Sequence, residues 1–204
     1  MPDLLIATQN RGKLEEIKSV LQPSHSNLRI RELSGLRDIP KIEEDGSSFL
    51  QNAQKKAKMI ASFTRIPTLA DDSGLEVDAL GGRPGILSAR FAGPQATDEE
   101  NIRKLLEKLK GVPPEKRTAR FRCVMVLYAA NGHSFTATGD LSGRVTETPR
   151  GTGGFGYDPI FLVPELGHTL AEITLTEKNR ISHRALALTK ISSHLNEFLQ
   201  QANR

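Results

Sequence analysis

A run of four apolar residues, Leu4-Leu5-Ile6-Ala7, passes straight into the polar stretch Thr8-Gln9-Asn10-Arg11-Gly12-Lys13 and then into Leu14, Ile17, Val20 and Leu21. An unbroken apolar run of this length fits a strand buried on both faces better than a half-exposed, alternating one. The spacing of the second set gives a helix one apolar face, and Pro23 is expected to stop that helix. Leu28 to Leu33 alternates and reads as a second strand. The head of the chain therefore predicts a βαβ unit, a parallel pair whose two faces must both be covered.

The remainder fits the same class. Ser48 to Gln51 reads as a capping box, followed by Leu50, Ala53, Ala57, Ile60 and Ala61 on a helix ending near Ile66-Pro67. Thr68-Leu69-Ala70 reads as a short strand running into Asp71-Asp72-Ser73-Gly74, which puts two carboxylates at its carboxyl end. Thr97 to Glu100 is a second capping box, before Ile102, Leu105, Leu106 and Leu109, with a stop at Gly111 and Pro113. Two extended stretches, Ala119 to Ala129 and Ser134 to Thr148, flank Asn131-Gly132, a strong hairpin signal. Ile160 to Val163 reads as a short strand, and a last helix begins near Ser182 with Leu188, Ile191, Leu195, Phe198 and Leu199 on one face. Helical βα units plus a long hairpin predict an α/β fold with a mixed central sheet flanked by helices and a second lobe.

Composition removes several classes. At 204 residues the chain is sized for a single domain, 1–204. Lys+Arg 28 against Asp+Glu 24 leaves a net charge of only +4, and with Trp 0 and Tyr 2 there are few platforms for stacked bases, so no nucleic-acid partner is expected. Gln54-Lys55-Lys56-Ala57-Lys58 reads as a solvated helix face. No apolar run approaches the ~18–20 residues of a spanning helix, and no basic, apolar leader stands at Met1-Pro2-Asp3, so no membrane partner is expected and the expected compartment is the cytoplasm. The single cysteine, Cys123, makes neither an internal disulfide nor a Cys-rich zinc site.

Four segments carry chemistry. Residues Thr8 to Lys13 lie between a strand and a helix, where backbone N–H groups and a lysine converge on an anion. This is no Walker A loop, because Ala7 and Leu14 stand where Gly and Ser or Thr are required. Asp71-Asp72-Ser73, with Glu43-Glu44-Asp45 upstream, supplies carboxylates able to hold Mg²⁺ or take a proton from water, although Asp-Asp-Ser-Gly also makes an ordinary turn. Arg150 to Asp158 packs four glycines around Phe155 and Tyr157, bringing backbone and a ring face to a ligand. In Glu177 to Arg184, His183 and Arg184 are donors suited to a carbonyl oxygen on a base, and an amino group there would leave them unsatisfied.

These segments, with Gly85-Ile86-Leu87-Ser88-Ala89-Arg90, stand in an order that resembles the inosine/xanthosine triphosphate pyrophosphatase family from residue 8 to 184. The resemblance implies an elongated α/β fold of two lobes around a central cleft, a homodimer, and one Mg²⁺ per subunit. It implies hydrolysis of ITP, dITP and XTP to the monophosphate and pyrophosphate, clearing deaminated purines. Carried over residue by residue, Thr8, Gln9, Asn10, Arg11, Gly12, Lys13 and Lys178 bind phosphates and Ser73 contacts the nucleotide. Phe155, Gly156, Tyr157 and Asp158 line the base pocket, and His183 and Arg184 read the 6-oxo group. Asp72 is the general base and, with Glu43, a metal ligand; whether the neighbouring acids Glu44 or Asp71 replace or assist Glu43 stays open at this point. Two rival readings are a pyrophosphatase of the septum-inhibitor type acting on pyrimidine nucleotides, which Ser182-His183-Arg184 speaks against, and a non-catalytic nucleic-acid binder, for which the acidic residues have no use.

Overall fold

The βαβ unit at the head of the chain is present in the computed structural model, which describes residues 1–202. β1 (Asp3–Ile6) and β2 (Arg29–Glu32) are parallel, Leu4 beside Ile30, and α1 (Arg11–Ser24) crosses between them. After α2 (Phe49–Thr64), β3 (Thr68–Val77) lies on the other side of β1, again parallel, with Ile6 beside Leu69. α3 (Asp98–Lys108) leads to β4 (Thr118–Tyr128) and β5 (Ser134–Val145), joined through the Asn131-Gly132 turn. β6 (Phe161–Val163) and β7 (His168–Thr169) extend the sheet antiparallel, and α4 (Leu175–Ile181) and α5 (His183–Ala202) end the described chain. The mixed sheet has seven strands in the order β2-β1-β3-β4-β5-β6-β7.

Three local expectations need correction. α1 continues through Pro23 to Ser24: Pro23 lies in the last turn, where only one intrahelical donor is lost, and His25 N–H still reaches Leu21 O at 3.0 Å. β3 does not stop at Ala70 but runs through Asp71-Asp72-Ser73-Gly74 to Val77. The turn-forming residue types are overridden because β4 continues as a sheet neighbour after the β1 register ends at Leu69. The polar set from Glu177 to Arg184, which in the sequence reads as the start of the last helix, spans two helices: α4 has its own capping box, Thr174 with Glu177, and Ser182 separates it from α5.

The chain divides into two compact units, and each has its own apolar core. One unit comprises Met1–Asp72, Cys123–Gly139 and the residues from Arg184 on. There Leu4 and Ile6 of β1, Leu69 of β3, and Cys123, Met125 and Leu127 of β4 turn to one face, packed with Ile17 and Leu21 of α1 and Leu188, Ile191 and Leu195 of α5. The other comprises Ser73–Arg122 and Asp140–His183. Its core joins Leu75 and Val77 of β3 to Ile102 and Leu105 of α3, with Phe121, Tyr157 and Phe161. No helix among the described residues is long and apolar enough to cross a membrane.

Pro23→Ala restores the missing N–H in the last turn of α1 at an exposed position. It is expected to raise stability by about 1 kcal/mol, read as a higher urea midpoint; an unchanged or lower midpoint would mean that the proline does not oppose the helix.

Candidate active site

In β3 successive side chains face opposite ways, and the two adjacent acids are divided between the two faces of the sheet. Asp71, on the face of Leu69, meets α1 and α5: its Oδ2 lies 2.7 Å from Lys13 Nζ and 3.9 Å from Arg184 Nη2. Arg184 Nη1 is also ion-paired with Glu16 of α1. Asp72 turns the other way, toward α2, where Asn52 Nδ2 donates to its Oδ2 at 2.9 Å. Both acids are buried, at 1% and 5% exposure.

These surroundings give the two acids different protonation behaviour. Burial pushes the Asp71 carboxyl up, but Lys13, Arg184 and Lys56 outweigh it and hold it well below the usual carboxylate range. For Asp72 burial dominates over Lys56, Lys13 and Asn52, and with the negative charge of Glu44 added its pKa is pushed up to about 6. Asp71 is thus a fixed anion, whereas Asp72 titrates close to neutral pH, as a general base should.

The segment before α2 brings Glu44, not Glu43, to this cluster. Glu44 pairs with Lys56 Nζ, and that charge outweighs the effect of burial and keeps its carboxyl low. Glu43, its neighbour, points outward with its side chain 66% exposed, 3.9 Å from Lys41. Glu43, expected as a metal ligand, thus stands outside this cluster and its neighbour Glu44 within it: along a segment without helix, neighbouring side chains diverge. Glu44 and Asp72 are hard oxygen donors, and two carboxylates suit Mg²⁺, which completes its shell with water and substrate phosphate.

The expected phosphate loop stands at the amino end of α1. Asn10 caps the helix, its Oδ1 accepting from Lys13 N–H at 3.0 Å, and Thr8 Oγ1 accepts from Asn10 N–H at 3.2 Å. Gln9, Asn10 and Arg11 are exposed, while Thr8, Gly12 and Lys13 are half-buried. An anion arriving here meets free helix N–H groups together with Lys13.

The second unit holds the glycine loop. Asp158 Oδ2 accepts from Phe155 N–H at 2.9 Å and pairs with Lys178 of α4; both Asp158 and Lys178 are buried. Lys178 Nζ also lies 4.7 Å from the centre of the Phe155 ring. Gly156 N–H donates to Asp98 Oδ2 at 2.6 Å, and Tyr157 Oη donates to Ser88 O at 2.9 Å. Gly154, at φ +72°, cannot carry a side chain, because a Cβ would lie 2.0 Å from Asp158 Oδ2. His183 is buried with its ring stacked on Phe121, centroids 4.7 Å apart. Ser73, half-buried, follows Asp72 on β3.

Two charged residues of the first cluster escape the sequence reading. Lys56, taken with its neighbours as a solvated face, is 8% exposed, and Asp71, Glu44 and Asp72 outweigh its burial and hold its pKa up. Its signal is positional, since Lys56 falls on the buried stripe Phe49, Ala53, Lys56, Ile60. Glu16 is 3% exposed and sits one turn on from Lys13.

The model of the Ham1 family matches residues 4–194. The dITP/XTP pyrophosphatase of Geobacter sulfurreducens is 50% identical over 195 residues, covering 96% of this chain and 97% of that protein. A HAM1 protein from Coxiella burnetii superposes with a TM-score of 0.87 at 42% identity, covering 97% of this chain and all of that one. The Staphylococcus aureus Ham1 protein gives 0.85 at 38% identity, covering 96% and 98%.

An acid whose folded pKa lies above its unfolded value favours the fold below the unfolded pKa, and that contribution is lost as pH rises through the folded one. For Asp72 the window runs from about pH 4 to about 6. With metal removed, Asp72→Asn is therefore expected to be more stable than the parent at pH 8, by on the order of 2 kcal/mol, and equal to it at pH 4. Denaturant midpoints across that range test this; a difference independent of pH would contradict it.

Proposed function

The chain belongs to the Ham1 family, and from that premise we propose that it hydrolyses the non-standard purine triphosphates dITP, ITP and XTP between the α and β phosphates, yielding the monophosphate and pyrophosphate. The observation that carries this reading is Asp72, a buried acid titrating near neutral pH, with Asn52, Lys56 and Lys13 around it. Triphosphate hydrolysis needs charge neutralisation, positioning and an activated water more than a covalent nucleophile.

In this reading the triphosphate is drawn to the amino end of α1, where Thr8 to Lys13 and Lys56 meet its oxygens. Asp72, ionised, takes the proton of the attacking water; the α–β anhydride bond breaks and pyrophosphate leaves. Asp72 and Glu44 would hold one Mg²⁺ per subunit, which when bound would supply charge neutralisation to the phosphates. Asn52 holds the Asp72 carboxylate in place, and Asp71, kept anionic, fixes Lys13 and Arg184. Phe155 offers its face to the base, while donors from His183 and Arg184 match a 6-oxo group. Arg184 also faces Glu16 through Nη1 and Asp71 through Nη2. A 6-amino group in the same place sets donor against donor, at about 1–3 kcal/mol for each hydrogen bond lost, which rejects ATP and dATP. The same proposal makes the enzyme a cytoplasmic homodimer.

Pyrophosphate release from dITP, XTP, dATP, GTP and dTTP, each with Mg²⁺ and with chelator, tests the reading. Metal-dependent release from dITP and XTP is expected, and Asp72→Asn should lose at least about 100-fold of it while retaining nucleotide binding. Faster release from dTTP would overturn the base assignment in favour of a pyrimidine pyrophosphatase, and no release from any would overturn the activity.

A further inference from the structure

Ser88 lies inside the turn Gly85–Arg90, a segment that none of the chemistry above uses. It is 8% exposed, and three hydrogen bonds converge on it. Its Oγ donates to Gly85 O at 2.6 Å and accepts from Leu75 N–H at 2.9 Å. Its carbonyl oxygen accepts from Tyr157 Oη at 2.9 Å. Leu75 stands three residues beyond Asp72 on β3, and Tyr157 two beyond Phe155 in the glycine loop. One residue therefore holds both the strand that carries the acid and the loop that carries the aromatic face.

Neither outer bond is dispensable. Leu75 is 0% exposed, so its N–H has no water to turn to if the Ser88 hydroxyl is removed. Tyr157 is 5% exposed, and its hydroxyl needs an acceptor inside the protein. The loop is fastened again at Phe155 N–H and Gly156 N–H, through Asp158 and Asp98. A displacement of the loop at Tyr157 must then either break its bond to Ser88 or move the turn, and movement of the turn reaches β3 through Leu75.

We propose that Ser88 is a positioning residue that couples recognition of the base to hydrolysis, acting through Leu75 on one side and Tyr157 on the other. The inference rests on the pyrophosphatase reading above. It assigns Tyr157 to bracing the loop, since its hydroxyl is already engaged with Ser88.

The test is the ratio of kcat/KM for dITP to that for dATP, measured on the wild type, Ser88→Ala, Tyr157→Phe, the double variant and Ser88→Thr, with the melting temperature of each. Ser88→Ala cuts the bond to the strand and Tyr157→Phe cuts the bond to the loop while keeping the ring. Each is expected to lower the ratio about tenfold, the double variant no further than either single, and Ser88→Thr, which keeps the hydroxyl, hardly at all. A merely structural role lowers both substrates alike; an unmoved ratio in both single variants, or additive losses in the double, overturns the proposal. Should Ser88→Ala fail to fold, Tyr157→Phe and Ser88→Thr carry the same test. Wild-type protein that releases no pyrophosphate from dITP overturns the underlying reading and this proposal with it, whereas an active wild type with insensitive variants overturns this proposal alone.

Discussion

The site depends on the pleat of β3. Two neighbouring carboxylates on one face would repel at close range, and one would give up its charge. In a strand they separate, and each meets a different set of partners across the sheet. Asp71 turns to Lys13 of α1 and Arg184 of α5, and these cations fix it as an anion. Asp72 turns to Asn52 of α2, and the burial that accompanies this raises its pKa to about 6. One acid organises the cations and the other is left able to exchange a proton, so one dipeptide fills two roles. The helices matter because they deliver these partners: Lys13 stands in the first turn of α1, Arg184 in the first turn of α5, and Asn52 and Lys56 one turn apart on α2.

What is legible in the sequence is whatever local pattern alone decides. The βαβ head, the Thr97–Glu100 capping box and the Asn131-Gly132 turn need no distant partner, and all three are found. The residues of Asp71-Asp72-Ser73-Gly74 favour a turn in isolation, and only the presence of β4 alongside makes them strand. Lys56 is hidden for a related reason: a lysine in a lysine-rich run reads as solvated, and although it falls on the buried stripe of α2, the acids that compensate its charge, Glu44, Asp71 and Asp72, come together only in the fold. Between Glu43 and Glu44 nothing local decides, because the choice depends on which way an extended segment turns toward α2. Tyr157 and Asp158 stand in a motif visible in the sequence, but their hydrogen bonds to Ser88 and Phe155 are tertiary facts.

The glycine loop shows the same dependence on tight geometry. Gly151, at φ +76°, passes so close to Ala171 that a Cβ would lie 2.4 Å from its carbonyl, and Gly154 is pressed against the Asp158 carboxylate. These approaches let one carboxylate hold both Phe155 N–H and Lys178, which stands over the Phe155 ring. The aromatic is held by backbone contacts that glycine permits, and in the proposed reading this rigidity matters more for discrimination between bases than for affinity. Two bases differing at one exocyclic group have nearly equal stacking surfaces, so selection must come from holding the base where a wrong group leaves donors unpaired.

Such a site strains the fold that contains it. Glu16, Lys56, Asp71, Asp72 and Arg184 are all nearly excluded from water, and removing one partner of a buried ion pair destabilises far more than replacing both by apolar residues would. The arrangement survives because the charges sit at the margin of well-packed apolar cores. Leu4, Leu21, Leu69, Leu188 and Ile191 are fully buried behind Asp71, and Leu75, Leu105 and Phe161 fill the second unit. Charge substitutions in the cluster should therefore divide by partner. Neutralising Asp72, whose ionised form burial disfavours, relieves the fold, whereas neutralising Asp71 removes the anion that faces both half-buried Lys13 and buried Arg184 and leaves Arg184 to Glu16. The acid best suited to chemistry is thus the one the fold would rather hold protonated, and the acid best suited to structure is the one it cannot release.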